Sequence, residues 1–145
     1  MSSRDPIERF FESASFGVVG ASTNPEKYGN RVLRRYQKKG LVVWPVNPSG
    51  GRIEGLPAFK SVKELPPDTK SISIVTPPKV TERVVQEAVE KGILNVWMQP
   101  GAESPEAVTY LQDQGINVIA DGSCVMVVLG IRFPDARKRK KPSKS

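Results

Sequence analysis

The sequence predicts an α/β fold: one doubly wound, mostly parallel sheet of five to six strands with helices on both faces, in a single domain. Three observations predict it. Short runs rich in Val and Ile recur along the chain, SFGVVG (15–20), LVVWPV (41–46), SISIVT (71–76), ILNVWM (93–98) and NVIA (117–120). Most are apolar on both faces, as strands covered on each side are. Helical patterns over roughly 29–39, 79–91 and 104–114 lie between them, which is the alternation of a parallel sheet. Gly40, Gly92 and Gly115 each stand between a helix and the next strand, where a left-handed cap is needed.

The elements follow in order. An amphipathic turn at 6–13 carries Ile7, Phe10 and Phe11 and is expected to pack across the sheet. Pro45 cannot donate to a ladder, so it is expected where the pairing of its strand is ending. GLPAFKSVKEL (55–65) is expected to supply a short edge strand and a brief helix. In the middle helix Val80, Val84, Val85 and Ala88 share one face, with Glu82, Arg83, Glu87 and Glu90 elsewhere. Ser104-Pro105-Glu106 supplies a cap, a first-turn proline and an acid to the next helix. Past Phe133 the chain is charged and poor in apolar residues. The domain is therefore expected over 1–133 and a basic disordered tail over 134–145.

Composition excludes several function classes. The 145 residues contain no histidine, which removes Ser-His-Asp and Cys-His catalysis and phosphohistidine chemistry. One cysteine, Cys124, rules out an intramolecular disulfide and a multi-cysteine metal site. There is no 18-residue apolar stretch and no signal-peptide core in MSSRDPIERFFES, so a soluble cytosolic protein is expected. The net charge is +7, but seven of the 22 basic residues lie in 132–145 against the single acid Asp135. The body is nearly neutral, and nucleic acid is not the expected partner. RKRKKPSK in the tail reads as solvated charge, with nuclear import as the alternative.

In an open parallel sheet, ligands bind beyond the carboxyl ends of the strands. Here the five runs end in GASTNPEKYG, NPSGGR, TPPK, QPGAES and DGSC, whereas the loops entering strands are plainer: QKKG, PPDTK, EKG and DQG. That asymmetry points to a binding edge. In the first loop Gly20 allows close backbone approach, Ser22 and Thr23 offer hydroxyls, and Lys27 offers a point charge for phosphate. Free N–H groups near Gly29 carry the positive end of a helix dipole. The loop matches neither GxGxxG nor GxxxxGK[ST]. The second run ends in Asn47-Pro48 with no acid before Glu54, so an NAD ribose is poorly served. Arg52 suits a nucleotide with an extra ribose phosphate, which NADP and coenzyme A both carry.

GVVGASTNPEKYGN, PVNP, EGLPAFKSVKELP, TPPKV, AVEKG, VWMQPGAES and GSCVMV occur in that order over about residues 10–130. Together they resemble the small stand-alone coenzyme A-binding proteins related to the N-terminal domain of succinyl-CoA ligase alpha subunits. The resemblance implies a Rossmann-like fold with a coenzyme A site at the strand carboxyl ends. It implies that Gly20, Ala21, Ser22 and the segment Asn24–Gly29, with Lys27 and Tyr28, face the pyrophosphate. Val46, Asn47 and Pro48 would flank the adenosine, with Arg52 toward the 3′-phosphate. Thr76, Pro77 and Pro78 would line the middle of the ligand, and Gln99, Pro100, Gly101 and Ala102 the pantetheine arm. The ligase subunits continue into a second domain with a phosphorylated histidine, which this sequence lacks.

Three functions stay open at this point. The first is a coenzyme A or acyl-CoA binding protein without catalysis of its own, a carrier or sensor, with a homodimer or a larger protein partner open. The others are an NADP-linked oxidoreductase and an interaction protein with an unused nucleotide pocket. No catalytic residue and no metal ligand is nominated; Asp121 and Glu103 are read as the only acids at the edge that could act as bases, and neither has a visible tuning partner. Cys124 is read as packing, with a mixed disulfide to the pantetheine thiol as the alternative. Trp44 and Trp97 are read as core.

Overall fold

The computed structural model describes residues 5–136. Its main sheet is parallel throughout, in the order β2-β1-β5-β6-β7, built from Ser15–Val19 (β1), Val43–Val46 (β2), Thr69–Ile74 (β5), Asn95–Met98 (β6) and Asn117–Ile119 (β7). A two-stranded hairpin, Arg52–Ile53 (β3) with Leu56–Pro57 (β4), follows β2. Beyond it Phe59 forms a single parallel bridge with Val46. Counting that bridge as a vestigial third strand, the order becomes 3-2-1-4-5-6, that of dinucleotide-binding sheets. The edge strand expected in 55–65 is thus one residue deep, and the brief helix is a 3-10 turn at Val62–Glu64.

Pro45 sits inside the ladder, opposite Val18, and not at its end. The alternation of hydrogen bonds explains how. The carbonyls of Val42 and Val46 accept from Phe16 and Gly20 of β1, so even-numbered residues of β2 bond inward. Pro45 faces the outer edge, where its carbonyl accepts from the Phe59 N–H at 2.9 Å and no donor is required of it.

Helices Pro78–Lys91 (α3) and Pro105–Asp113 (α4) cover one face, with the 3-10 turn. Pro6–Phe10 (α1), Tyr28–Lys38 (α2) and Val125–Arg132 (α5) cover the other. Gly40, Gly92 and Gly115 all have positive φ, as the helix-to-strand turns require. Helix α5 is an element the sequence reading did not anticipate: GSCVMVV, read as packing after the last strand, opens it.

Strand β5 corrects the expectation of two apolar faces. Ile72 and Ile74 enter the α3 side, but Ser71 and Ser73 are buried on the other. Ser71 donates to the Phe10 carbonyl at 2.6 Å and Ser73 meets the Tyr36 hydroxyl at 2.8 Å. Asn95 donates to Ser71, and Asn117 to both Asn95 and the Pro6 carbonyl. These bonds tie α1 across the amino ends of three strands, so each of these buried serine and asparagine side chains has a partner. Trp97 is fully buried edge-on to Phe10, and Trp44 packs half-buried on Phe59, both as core residues. Of the expected tail, Pro134–Ala136 are described: Asp135 pairs with Lys39 at 2.8 Å at the end of α2. Residues 137–145, with most of the basic run, lie outside the described residues.

Candidate functional site

Because all five strands run the same way, their carboxyl ends emerge on one rim, at Gly20, Asn47, Val75, Gln99 and Ala120. The strand order reverses between β1 and β5, where the crevice opens.

The loop from β1 to α2 is held by two glycines. Gly20 has φ 95°, and a Cβ there would lie 2.0 Å from the Val75 carbonyl oxygen. A Cβ on Gly29 would lie 2.1 Å from the Gly20 carbonyl oxygen. Gly20 therefore lets β1 close on β5, and it also lines the cavity that opens beside them. Gly29 lets the first turn of α2 press on the strand end, the task of the last glycine in GxGxxG.

Side chains then turn the loop's carbonyls inward. Asn47 donates to the Ala21 carbonyl at 2.7 Å, Asn30 to that of Ser22 at 2.8 Å, and Arg34 to that of Pro25 at 2.8 Å. Ser22 Oγ and Asn24 Oδ1 accept from the N–H groups of Asn24 and Glu26 in tight turns. With the acceptors engaged, the exposed side of the loop presents the Ser22 and Thr23 hydroxyls and the unpaired first N–H groups of α2. Lys27, exposed, is the N-cap residue without a capping side-chain bond. Donor groups at a helix start are of the kind to which anions bind.

Two cavities flank the crevice. One, of about 160 Å³, is lined by Val19, Gly20, Val46, Pro48 and Thr76, with Val62, Val80 and Val84 forming an apolar floor. Lys60 and Arg83 stand on its wall. The second, shallower and about 250 Å³, runs over Val75, Thr76, Pro77, Pro100, Gly101 and Ala102. Thr76 lines both, so the two cavities adjoin at that residue on the rim. An open cavity of about 360 Å³ at the opposite edge, around Arg9, Lys70 and Asn95, contains none of the expected site residues.

The rim's polar groups are largely committed. Asp121 accepts from the hydroxyl and the N–H of Ser123, which hold its carboxyl below the usual range. Glu103 accepts from the Gly101 N–H. Gln99 is fully buried; its Oε1 accepts from the Val125 N–H at 2.9 Å and faces the Tyr28 hydroxyl at 3.4 Å. The same hydroxyl lies 2.8 Å from Cys124 Sγ, and burial followed by that bond pushes the Tyr28 phenol well above its ordinary range.

Most of the expected residues therefore converge. Gly20, Val46, Pro48, Thr76, Pro77, Pro100, Gly101 and Ala102 line these two cavities, and Ala21, Ser22, Asn24, Lys27, Tyr28, Gly29 and Asn47 build the adjoining loop. Pro78 opens α3 beside them. Two depart from expectation. Arg52 lies on the β3–β4 hairpin, with its guanidinium donating to the Gly55 carbonyl, and lines neither cavity. Gln99 turns inward beneath the rim. Lys60 and Arg83 were missed. The helical spacing Val80, Arg83, Val84 and Glu87 carried the signal for Arg83, one turn past TPPK.

The chain matches the family described as a CoA binding domain over residues 14–130. It is 35% identical over 91 residues to the alpha subunit of an ADP-forming acetate–CoA ligase (II) of Pyrococcus furiosus, which covers 62% of this chain and 20% of that subunit. The chain thus spans about a fifth of the length of that curated relative. It is also 29% identical to the uncharacterized protein YneT of Bacillus subtilis, over 79% of this chain and 84% of that one. Among solved structures, a conserved hypothetical protein from Pyrococcus furiosus aligns with TM-score 0.76 and 47% identity, over 79% of this chain and 97% of that one. A hypothetical protein from Pyrococcus horikoshii aligns with TM-score 0.81 and 28% identity, over 92% of each chain. On this parallel Rossmann-like sheet, and with the family model matched over most of its length, the chain belongs to the CoA binding domain family.

Proposed function

We propose that the chain binds coenzyme A or an acyl-CoA along the carboxyl rim, without catalysis of its own, as a carrier or sensor of that ligand. The observation that carries the reading is an apolar pocket and a shallow groove that adjoin at Thr76 on the carboxyl rim, beside the loop from β1 to α2. The pyrophosphate takes the Ser22–Thr23 hydroxyls and the first N–H groups of α2. The adenine takes the valine-floored cavity, which buries its faces without demanding the ribose-binding acid of an NAD site. The extra ribose phosphate falls to Lys60 and Arg83 on the cavity wall, the role the sequence assigned to Arg52. The pantetheine arm follows Pro77 and Pro100–Ala102, where exposed backbone and small side chains leave a groove. Asp121 and Glu103, the two acids the sequence singled out, are engaged by neighbouring donors, which supports the non-catalytic reading.

Calorimetric titration with coenzyme A, dephospho-coenzyme A, NADP and NAD tests this. Coenzyme A is expected to bind best and its dephospho form about tenfold or more weaker, the loss of one charge-assisted contact. A preference for NADP, or no binding of any of the four, removes the proposal.

A further inference from the structure

We infer that Cys124 is a thiol–disulfide exchange site for the thiol end of the ligand proposed above, taking it up as a mixed disulfide beside the Tyr28 hydroxyl and the buried Gln99 amide. The inference rests on the coenzyme A reading. Three elements meet at the sulfur. Cys124 is the N-cap residue of α5, just past the end of β7 on the rim, and its side chain is half-buried. Tyr28, the first residue of α2, sets its hydroxyl 2.8 Å from Sγ. Gln99, at the end of β6, brings its amide to the same hydroxyl and to the first N–H of α5.

Gln99 is the independent sign that something is to be bound there. It is fully buried, and among the described residues its Nε2 is the one buried side-chain nitrogen or oxygen with no partner. The Val125 N–H requires an oxygen opposite it, so the amide cannot turn over to hide the nitrogen. An N–H donor left unmatched in the interior is costly, and native structures keep such groups rarely. The amide that carries it reaches, through its Oε1, the Tyr28 hydroxyl that meets the chain's single thiol. The Tyr28 hydroxyl lies within hydrogen-bond reach of both Sγ, at 2.8 Å, and Gln99 Oε1, at 3.4 Å, so its one proton is shared between the thiol and the amide. Gln99 immediately precedes Pro100–Ala102, the stretch assigned to the pantetheine arm, so the arm's thiol end comes to the amide that reaches Tyr28 and α5.

The step is an exchange and needs only a disulfide of that thiol, R–S–S–R′. The Cys124 thiolate attacks the R sulfur; the Cys124–S–S–R bond forms and the R–S–S–R′ bond breaks. The R′ thiolate leaves and takes up the proton that Cys124 released. Cys124 is oxidised to the disulfide level and R′ is reduced to the thiol.

The test incubates the reduced full-length chain with coenzyme A disulfide or glutathione disulfide at equal concentration, followed by intact mass and peptide mapping. The expected result is a reductant-reversible adduct on Cys124, formed about a hundredfold faster with coenzyme A disulfide because binding concentrates it, and absent in Cys124→Ser. Equal rates, or no adduct, overturn the inference. Titration of the unmodified chain with S-methyl-coenzyme A, which has no thiol, separates the two failures. Binding of that analogue without accelerated adduct overturns the exchange site alone; neither binding nor acceleration overturns the coenzyme A reading with it.

Discussion

Replacing Gly29 by alanine tests the link between packing and site in one residue. Gly29 lies in the first turn of α2, without the positive φ of Gly20, so backbone strain does not enter. On helix propensity alone alanine gains about 1 kcal/mol over glycine. Against that, its Cβ would stand 2.1 Å from the Gly20 carbonyl oxygen, 2.9 Å from the carbonyl carbon and 3.2 Å from Ala21 Cα. A relaxed carbon–oxygen contact is about 3.3 Å, so the helix must back away by about 1 Å. The atoms it meets are backbone, tied into β1 and to Asn47, and they cannot rotate aside. Overpacking typically costs about 1–3 kcal/mol, and an overlap with backbone that cannot rotate aside falls in the upper part of that range, about 2–3 kcal/mol. The net effect is a loss of about 1–2 kcal/mol, or a Tm lower by about 4–8 °C for a domain of this size. The same 1 Å withdraws the helix N–H groups from the anion, and coenzyme A affinity is expected to fall tenfold or more. Calorimetric scanning and titration of Gly29→Ala measure both. A variant as stable as the parent, or more stable as propensity alone predicts, refutes the close approach; a destabilised variant with unchanged affinity separates the glycine from the site.

Arg83→Ala and Lys60→Ala are each expected to weaken coenzyme A about tenfold while leaving dephospho-coenzyme A unchanged, with both losses shrinking in added salt. Arg52→Ala is expected to change neither, since its guanidinium is held by Gly55; equal losses for the two ligands would remove Arg83 and Lys60 from the phosphate. Burial raises the Tyr36 phenol far above its ordinary range, outweighing the hydrogen bond to Ser73. The unfolded chain loses that proton near pH 10 and the folded one does not, so this contribution is full below about pH 10 and declines as pH rises beyond it. Urea unfolding of Tyr36→Phe should show a stability about 1 kcal/mol lower at pH 7 from the lost hydrogen bond, with a shallower alkaline decline; an unaltered slope would contradict the assignment. Asn47→Ala frees the Ala21 carbonyl to face the ligand's anion, and affinity measured by calorimetry should drop several-fold, with stability falling by about 1 kcal/mol.

The sheet, its helices and the binding rim were legible because the signals are local. Val- and Ile-rich runs and glycines after helices mark the βαβ rhythm without knowledge of contacts. What stayed hidden depends on pairing between distant segments. Ser71 and Ser73 look like an alternating strand with one wet face until Phe10, 61 residues earlier, and Tyr36 are seen to cover them. Pro45 reads as a strand end unless the outward register of β2 is known. Helix α5 carries Val127 and Ile131 exposed alongside Val125 and Leu129 buried, so its apolar residues show little amphipathic contrast. Arg52 was the nearest cation in sequence to the expected phosphate, yet the β3–β4 hairpin keeps it at Gly55, whereas Lys60 reaches the cavity wall past the Phe59 bridge.

The absence of GxGxxG also has a structural account. That pattern spends three glycines on a tight turn, on backbone approach to phosphate and on helix packing. Here packing alone takes two, Gly20 against Val75 and Gly29 against Gly20, and they stand nine residues apart because the loop between them is longer. A longer loop exposes more carbonyls, which repel an anion. Asn47, Asn30 and Arg34 answer that problem by drawing three of those carbonyls inward, and each comes from an element already fixed by the sheet or by α2. Asn30 also donates to Glu54 and accepts from Arg34, so the hairpin after β2 is tied into the same brace. The loop thus gains its donor face from side chains behind it and not from glycines within it. On the coenzyme A reading proposed above, a phosphate-binding turn is thus present where a glycine count finds none.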